Sequence, residues 1–161
     1  MPPSKEPRTR FLADAMLGTL ARKLRALGFD TAYYKSGNDA ALLAAAAREG
    51  RVVLTADRDL AARAASKGVR AVLLTQKSDG ARISAMSRAC RDAGFAIVRG
   101  EPLCSVCGGD LEALRRSAVA GMVPPSVERR HRLFFRCLSC GKLYWRGSHW
   151  KKLRSLARRL N

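Results

Sequence analysis

Acid is what this chain lacks. Its 161 residues hold 13 Asp and Glu against 31 Lys and Arg, a formal net charge of +18, and the sequence pI is about 11.0. Histidine occurs only twice, so a histidine-rich metal centre is excluded. Aromatic residues make up only 6%, so most of any core must be aliphatic. No apolar run approaches the roughly 20 residues of a membrane-spanning helix. The opening residues MPPSKEPRTR are polar and basic with no apolar stretch behind them, unlike a secretory leader. The expectations are a disordered basic arm over residues 1–9, a cytoplasmic setting and no membrane partner.

A chain this basic repels itself unless an anion neutralises it. Nucleic acid is the leading partner; an acidic protein or an anionic membrane surface are the alternatives. The charge is also graded. Residues 1–100 carry 18 basic and 9 acidic side chains, whereas residues 101–161 carry 13 and 4, and after Glu128 there are 11 Lys and Arg and no acid. That gradient points to a phosphate-facing C-terminal surface.

Within the first hundred residues, strand and helix patterns alternate. Short apolar runs at 10–14, 31–34, 52–55, 71–75 and 95–98 read as five strands. Helical patterns lie between them at 17–28, 40–48, 58–67 and 80–93. In the first, Leu17, Leu20, Ala21, Leu24 and Leu27 form an apolar stripe, with Arg22, Lys23 and Arg25 largely off it. Strands alternating with helices imply parallel βαβ units, whose ligands sit at the carboxyl ends of the strands. After Gly100-Glu101-Pro102 the periodicity stops until a basic helix at about 150–160.

The cysteines are informative. Cys104 and Cys107 form one Cys-x-x-Cys knuckle, and Cys137 and Cys140 another; each is followed by Gly. Two such pairs can complete a tetrahedral Zn²⁺ site that is closed and therefore structural. Two disulfides or redox dithiols are the alternative, disfavoured by a cytosolic setting. The 29 intervening residues are long for this motif and predict a loop inserted around 122–128. Cys90 lies inside a helical pattern and reads as core. The cluster YWRGSHW at 144–150 places Tyr144, Trp145 and Trp150 beside basic residues. These rings either pack a small module or stack on bases.

Asp57 and Asp59 follow the third predicted strand, and Asp14 follows the first. Asp39 opens the second helix. In so acid-poor a chain, carboxylates at one sheet end suit Mg²⁺ or Mn²⁺, which prefer oxygen ligands. Asn38 and Thr55 are placed to orient them. Bland alternatives remain for each: Asp39 and Asp57 as helix caps, Asp59 as the i+4 partner of Arg63, Asp14 as a loop acid.

The segments FLADAMLGTLARKLRALGFDT, NDAALLAAAAREGRVVLTADRDL and the tail CGKLYWRGSHW, with its two knuckles, occur in order over residues 10–152. Together they resemble the PIN-like RNase family typified by the C-terminal domain of the Mut-seven exonuclease. The resemblance implies a PIN-like parallel sheet flanked by helices over 10–99, a small four-cysteine zinc ribbon over 100–150 and a basic C-terminal helix over 151–161. It also implies Mg²⁺- or Mn²⁺-dependent RNA cleavage, with Asp14 and Asp57 as primary ligands and Asp39 and Asp59 completing the cluster. A further acid, which longer PIN domains carry on an additional helix, has no clear counterpart here.

The resulting expectation is an endoribonuclease acting on structured RNA, in rRNA or tRNA processing or turnover. Arg22, Lys23, Arg136, Lys142, Arg146, Lys151 and Lys152 are the candidate RNA-binding residues. The alternatives are a non-catalytic RNA- or ribosome-binding protein and a toxin nuclease; the appended ribbon argues against the latter.

Overall fold

The structure is a computed structural model and describes residues 8–160. The expected arm therefore lies almost wholly outside the described residues; of its last two positions, Thr9 donates its hydroxyl to the Ala96 carbonyl at 2.9 Å.

Four strands form the first sheet: β1 (Phe11–Ala13), β2 (Thr31–Tyr33), β3 (Val52–Thr55) and β4 (Ala71–Leu73). Their order is β2-β1-β3-β4, and every pairing is parallel. Four helices connect and cover them: α1 (Gly18–Ala26), α2 (Asp39–Glu49), α3 (Arg58–Ser66) and α4 (Asp79–Asp92). Successive strand residues face opposite ways, and β1 and β3 are apolar on both faces. Phe11, Ala13, Val52 and Leu54 pack with α1 and α4 through Leu20, Leu24, Ile83 and Met86. Leu12 and Val53 pack with α2 and α3 through Leu42, Leu43, Leu60 and Ala64. A sheet buried on both sides needs such continuous apolar runs.

The strand order reverses between β1 and β3. That switch point is where loops from opposite faces of the sheet part and leave a crevice at the carboxyl edge. Asp14 leaves β1 there, and Asp57 leaves β3.

The expected fifth strand at 95–98 does not form. Phe95 N–H caps the end of α4 on the Cys90 carbonyl at 2.8 Å, and the Gly100 N–H turns to the Gly28 carbonyl at 2.8 Å. Tied in this way, the segment joins neither sheet but still delivers Phe95 and Ile97 to the core. The approach at Gly28 requires glycine: φ is +92°, and a Cβ would collide with the Gly100 carbonyl.

The cysteine-bearing region is a second, antiparallel sheet of β5 (Leu111–Arg115), β6 (Leu133–Cys137) and β7 (Leu143–Trp145), in that order. The long insertion between β5 and β6 contains a 3-10 turn at Arg116–Val119 and the short helix α5 (Pro125–Arg130). Val119, Val123 and Phe134 give it a small core of its own.

The basic helix α6 (Ser148–Ala157) does not stand free. Leu153, Leu156, Ala157 and Leu160 pack against the first core, and Ser87 on α4 donates to the Leu160 carbonyl at 3.0 Å. Its cations Lys151, Lys152 and Arg154 remain exposed, as do Arg158 and Arg159 in the 3-10 turn that follows. Among the described residues, no helix is long and apolar enough to cross a membrane.

Candidate active site and metal centre

At the switch point, Asp14 is buried, with 5% exposure. One of its carboxylate oxygens accepts the Met16 N–H at 3.0 Å, and the other accepts the Thr55 hydroxyl. Thr55 Oγ1 in turn accepts the Asp57 N–H at 3.0 Å. A continuous hydrogen-bond chain therefore joins the ends of β1 and β3, and it orients the only one of the four candidate acids that is buried. Burying a carboxylate without such donors would cost several kcal/mol, roughly the range for an unpaired charged group.

The other acids have simpler local partners. Asp57 caps α3, accepting from Asp59 N–H at 2.8 Å and Leu60 N–H at 3.3 Å. Asp59 is exposed in the first turn of α3. Asn38 caps α2 through the Ala41 N–H at 3.0 Å. Asp39 is not that cap but pairs with Arg63 across from α3; the partner of Arg63 is thus Asp39, not Asp59. Helix N-termini gather at this edge, and their dipoles favour the carboxylates.

Sequence reasoning passed over one acid. Asp79 opens α4 after β4, the position that Asp57 and Asp59 occupy after β3. Its side chain is 11% exposed and holds Lys23 at 2.8 Å and Arg82 at 3.1 Å. The signal was Ser78-Asp79, an N-cap pattern after an apolar run; Ser78 does cap the helix through the Ala81 N–H.

The sulfurs of Cys104, Cys107, Cys137 and Cys140 all lie within 4.8 Å of one another. Among the described residues, this is the one group of three or more potential metal ligands so close. Cys104 and Cys140 are 3.6 Å apart and Cys107 and Cys137 3.4 Å. Bonds of about 2.3 Å from a tetrahedral Zn²⁺ place sulfurs at roughly 3.8 Å, so the four could bind zinc with little movement. Gly108 and Gly141, each following a knuckle, have φ of +80° and +75°, a turn that favours glycine. The second knuckle crosses close to Gly109, where a Cβ would lie 2.5 Å from Ser139 Oγ.

Negative charge is shared unevenly among these thiols. Burial pushes the Cys104 thiol up, but hydrogen bonds from the Tyr144 hydroxyl at 3.0 Å and from the Cys107 and Val106 amides overcome it and hold the group at about 6. The Cys140 amide lowers Cys137 against its burial. The Gly109 amide favours a Cys107 thiolate, yet the neighbouring sulfurs outweigh it and push Cys107 up to about 12. Sulfurs this close cannot all ionise without a cation among them.

A family profile, the Mut7-C RNAse domain, matches residues 9–157. The chain belongs to the Mut7-C RNAse domain family. Searches of curated proteins and of solved structures each found no match. Family membership suggests a ribonuclease-like function, with RNA as the partner.

In this Mut7-C domain, the first sheet and the first cysteine knuckle are tied by a residue that looked peripheral in the sequence. Arg25, expected off the apolar stripe, is buried at 7% exposure. Its Nε donates to the Thr31 carbonyl at 2.7 Å, and Nη1 to the Ser105 and Val106 carbonyls at 3.3 and 2.9 Å. A neighbouring cavity of about 860 Å³ lies between α1, the second sheet and α6. Of the seven cations expected to bind RNA, Arg22, Lys23, Arg146 and Lys152 line it. Arg136 pairs with Glu112 at 2.8 Å, Lys142 lies over the Tyr144 ring at 5.9 Å, and Lys151 is exposed on α6.

Proposed function

We propose that this chain is a metal-dependent endoribonuclease of PIN-like architecture, with the catalytic centre at the β1–β3 switch point and a structural zinc in the second sheet. The observation that carries the reading is the hydrogen-bond chain from buried Asp14 through Thr55 to Asp57 at the carboxyl edge of a parallel sheet, in an RNase-family domain. The proposed organisation is a nuclease domain over 10–99, a zinc ribbon over 100–150 and a basic helix over 151–161. Structured RNA in the cytoplasm, such as rRNA or tRNA, is the proposed substrate.

The oxygens at this edge are hard donors that suit Mg²⁺ or Mn²⁺, which are commonly held by one or two carboxylates and keep several waters. Asp14 and Asp57 would hold the ion. A bound ion would supply charge neutralisation on the phosphodiester and activation of the attacking water. Asp59 would orient that water, and Thr55 would fix the carboxylate of Asp14. Asp39, held by Arg63, would bias the charge at the mouth of the crevice.

One observation favours a second reading. Asp39, Asp57 and Asp79 are each engaged in a cap or ion pair, as they would be in a non-catalytic RNA- or ribosome-binding protein. The experiment is cleavage of end-labelled folded and single-stranded RNA by zinc-loaded protein, with Mn²⁺ or Mg²⁺ added, beside Asp14→Asn and Asp59→Asn. Metal-dependent cleavage that falls by at least about a hundredfold in Asp14→Asn supports the nuclease. Equal products from both variants and the unaltered protein would sink this site assignment, and salt-sensitive binding without any cleavage would favour the second reading.

A further inference from the structure

The cavity between α1, the second sheet and α6 has an aromatic and aliphatic lining, including Phe135, Tyr144, Trp145 and Trp150. Its size lies within the range of about 300–1,000 Å³ usual for sites that enclose a small organic molecule. Packing alone does not explain its rings. Trp145 is accounted for, since it lies against the small core of the second sheet. Trp150 belongs to none of the core clusters. It is half-buried, and a cation lies over it: the Arg146 guanidinium is 5.6 Å from the Trp150 ring and 5.6 Å from the Phe135 ring.

Charge selects the occupant. Arg22, Arg146 and Lys152 border the cavity, and Glu101 is the one acid in its lining. Lys23 reaches it too, while pairing with Asp79. Flat apolar surfaces ringed by cations match a base with its phosphates. Unpaired bases are recognised by stacking on aromatic rings and on arginine planes, a mode that a paired base cannot use.

We infer that this cavity takes one unpaired, unstacked nucleotide of an RNA strand, its base against Trp150 and the Arg146 plane and its phosphates toward Arg22 and Lys152. The inference rests on the proposal that RNA is the substrate, and it adds that the recognised feature is a loop, bulge or end rather than a helix. The groove would then select the strand, while the carboxylate edge cuts it.

The chain's two tryptophans both line this cavity, so intrinsic fluorescence reports on it directly. The test titrates zinc-loaded protein, without added Mg²⁺ or Mn²⁺, with a short oligoadenylate. An abasic strand of the same length and a blunt RNA duplex are the comparisons, with anisotropy of the labelled strand as a second readout. The expected result is quenching by oligoadenylate and at least tenfold weaker binding of the abasic strand. Trp150→Ala should weaken oligoadenylate binding by about tenfold and leave the abasic strand unchanged, as loss of one base stack requires; Trp150→Phe should restore most of it. Equal affinity for the abasic strand or for the duplex would overturn the inference, and that comparison needs no variant. Base-dependent binding in this titration, with no cleavage of folded or single-stranded RNA once Mn²⁺ or Mg²⁺ is added, would keep the pocket and remove the nuclease reading. Cleavage without base-dependent binding would do the reverse.

Discussion

Arg25 on α1 donates to the Val106 carbonyl, 2.9 Å away in the first cysteine knuckle. With its bonds to Thr31 and Ser105, one planar guanidinium satisfies carbonyls in the first sheet and in the first cysteine knuckle. Its charge also sits close to Cys104 and Cys107, where a four-thiolate zinc site would carry net negative charge. Arg25→Met should therefore destabilise the zinc-loaded protein by about 1–3 kcal/mol, because the buried Thr31 carbonyl and the partly exposed Ser105 and Val106 carbonyls lose their donor. Arg25→Lys should recover little, since an ammonium cannot reproduce the fork. Denaturant unfolding reads both values; a loss under ~0.5 kcal/mol in Arg25→Met would mean that the seam is held elsewhere.

Metal content tests the second sheet. One Zn²⁺ per chain is expected by elemental analysis, and Cys104→Ser or Cys137→Ser should abolish stoichiometric binding. Chelation should unfold the second sheet first, because its core consists of only Val119, Val123 and Phe134 with a few partly buried neighbours. Structural zinc often supplies the folding energy of such small modules. Unchanged circular dichroism and thermal stability after complete zinc removal would contradict a structural role.

Thr55 separates positioning from folding. Thr55→Val keeps the buried shape but removes the hydroxyl between Asp14 and the Asp57 N–H. RNA cleavage should fall by about tenfold to a hundredfold, and stability by about 1–3 kcal/mol from the groups left unpaired. Thr55→Ser should restore cleavage. Full cleavage in Thr55→Val would show that Asp14 needs no such anchor.

Cys90 offers a pH-dependent check on the core. Burial pushes its thiol from 9.0 up to about 11. The folded value lies above the unfolded one, so stability is unaffected below about pH 9 and declines as pH rises toward 11. At pH 8, zinc-loaded protein should leave Cys90 unmodified by iodoacetamide until it unfolds. Rapid alkylation of Cys90 under native conditions would contradict the packing of α4.

Salt dependence reports on α6. Because Leu153, Leu156 and Leu160 complete the first core, deleting the helix would damage the fold, and charge removal is the cleaner probe. Lys151→Gln with Lys152→Gln should lower the slope of log affinity against log salt by roughly 0.7 for each phosphate of a single strand that is no longer neutralised. An unchanged slope would place the RNA path away from this face.

The sequence by itself determined the features that local rules govern. Apolar runs alternating with helical stripes specify the parallel α/β layout, since period-2 and period-3.6 burial each need only neighbouring residues. The knuckle spacing brings sulfurs together in pairs, and Gly108 and Gly141 follow from the turn. Tertiary structure decided what depends on partners far apart in the chain. Residues 95–98 have the composition of a strand, yet their ends are tied to Cys90 and Gly28 and they join no ladder. Arg25 looks like a surface cation until the carbonyls of Ser105 and Val106, some 80 residues on, arrive to bury it. Asp39 finds Arg63, Asp79 finds Lys23, and the cavity exists only because α6 returns to α4. Such pairings are set by which surfaces meet as apolar area is buried, and no local pattern in the chain encodes that meeting.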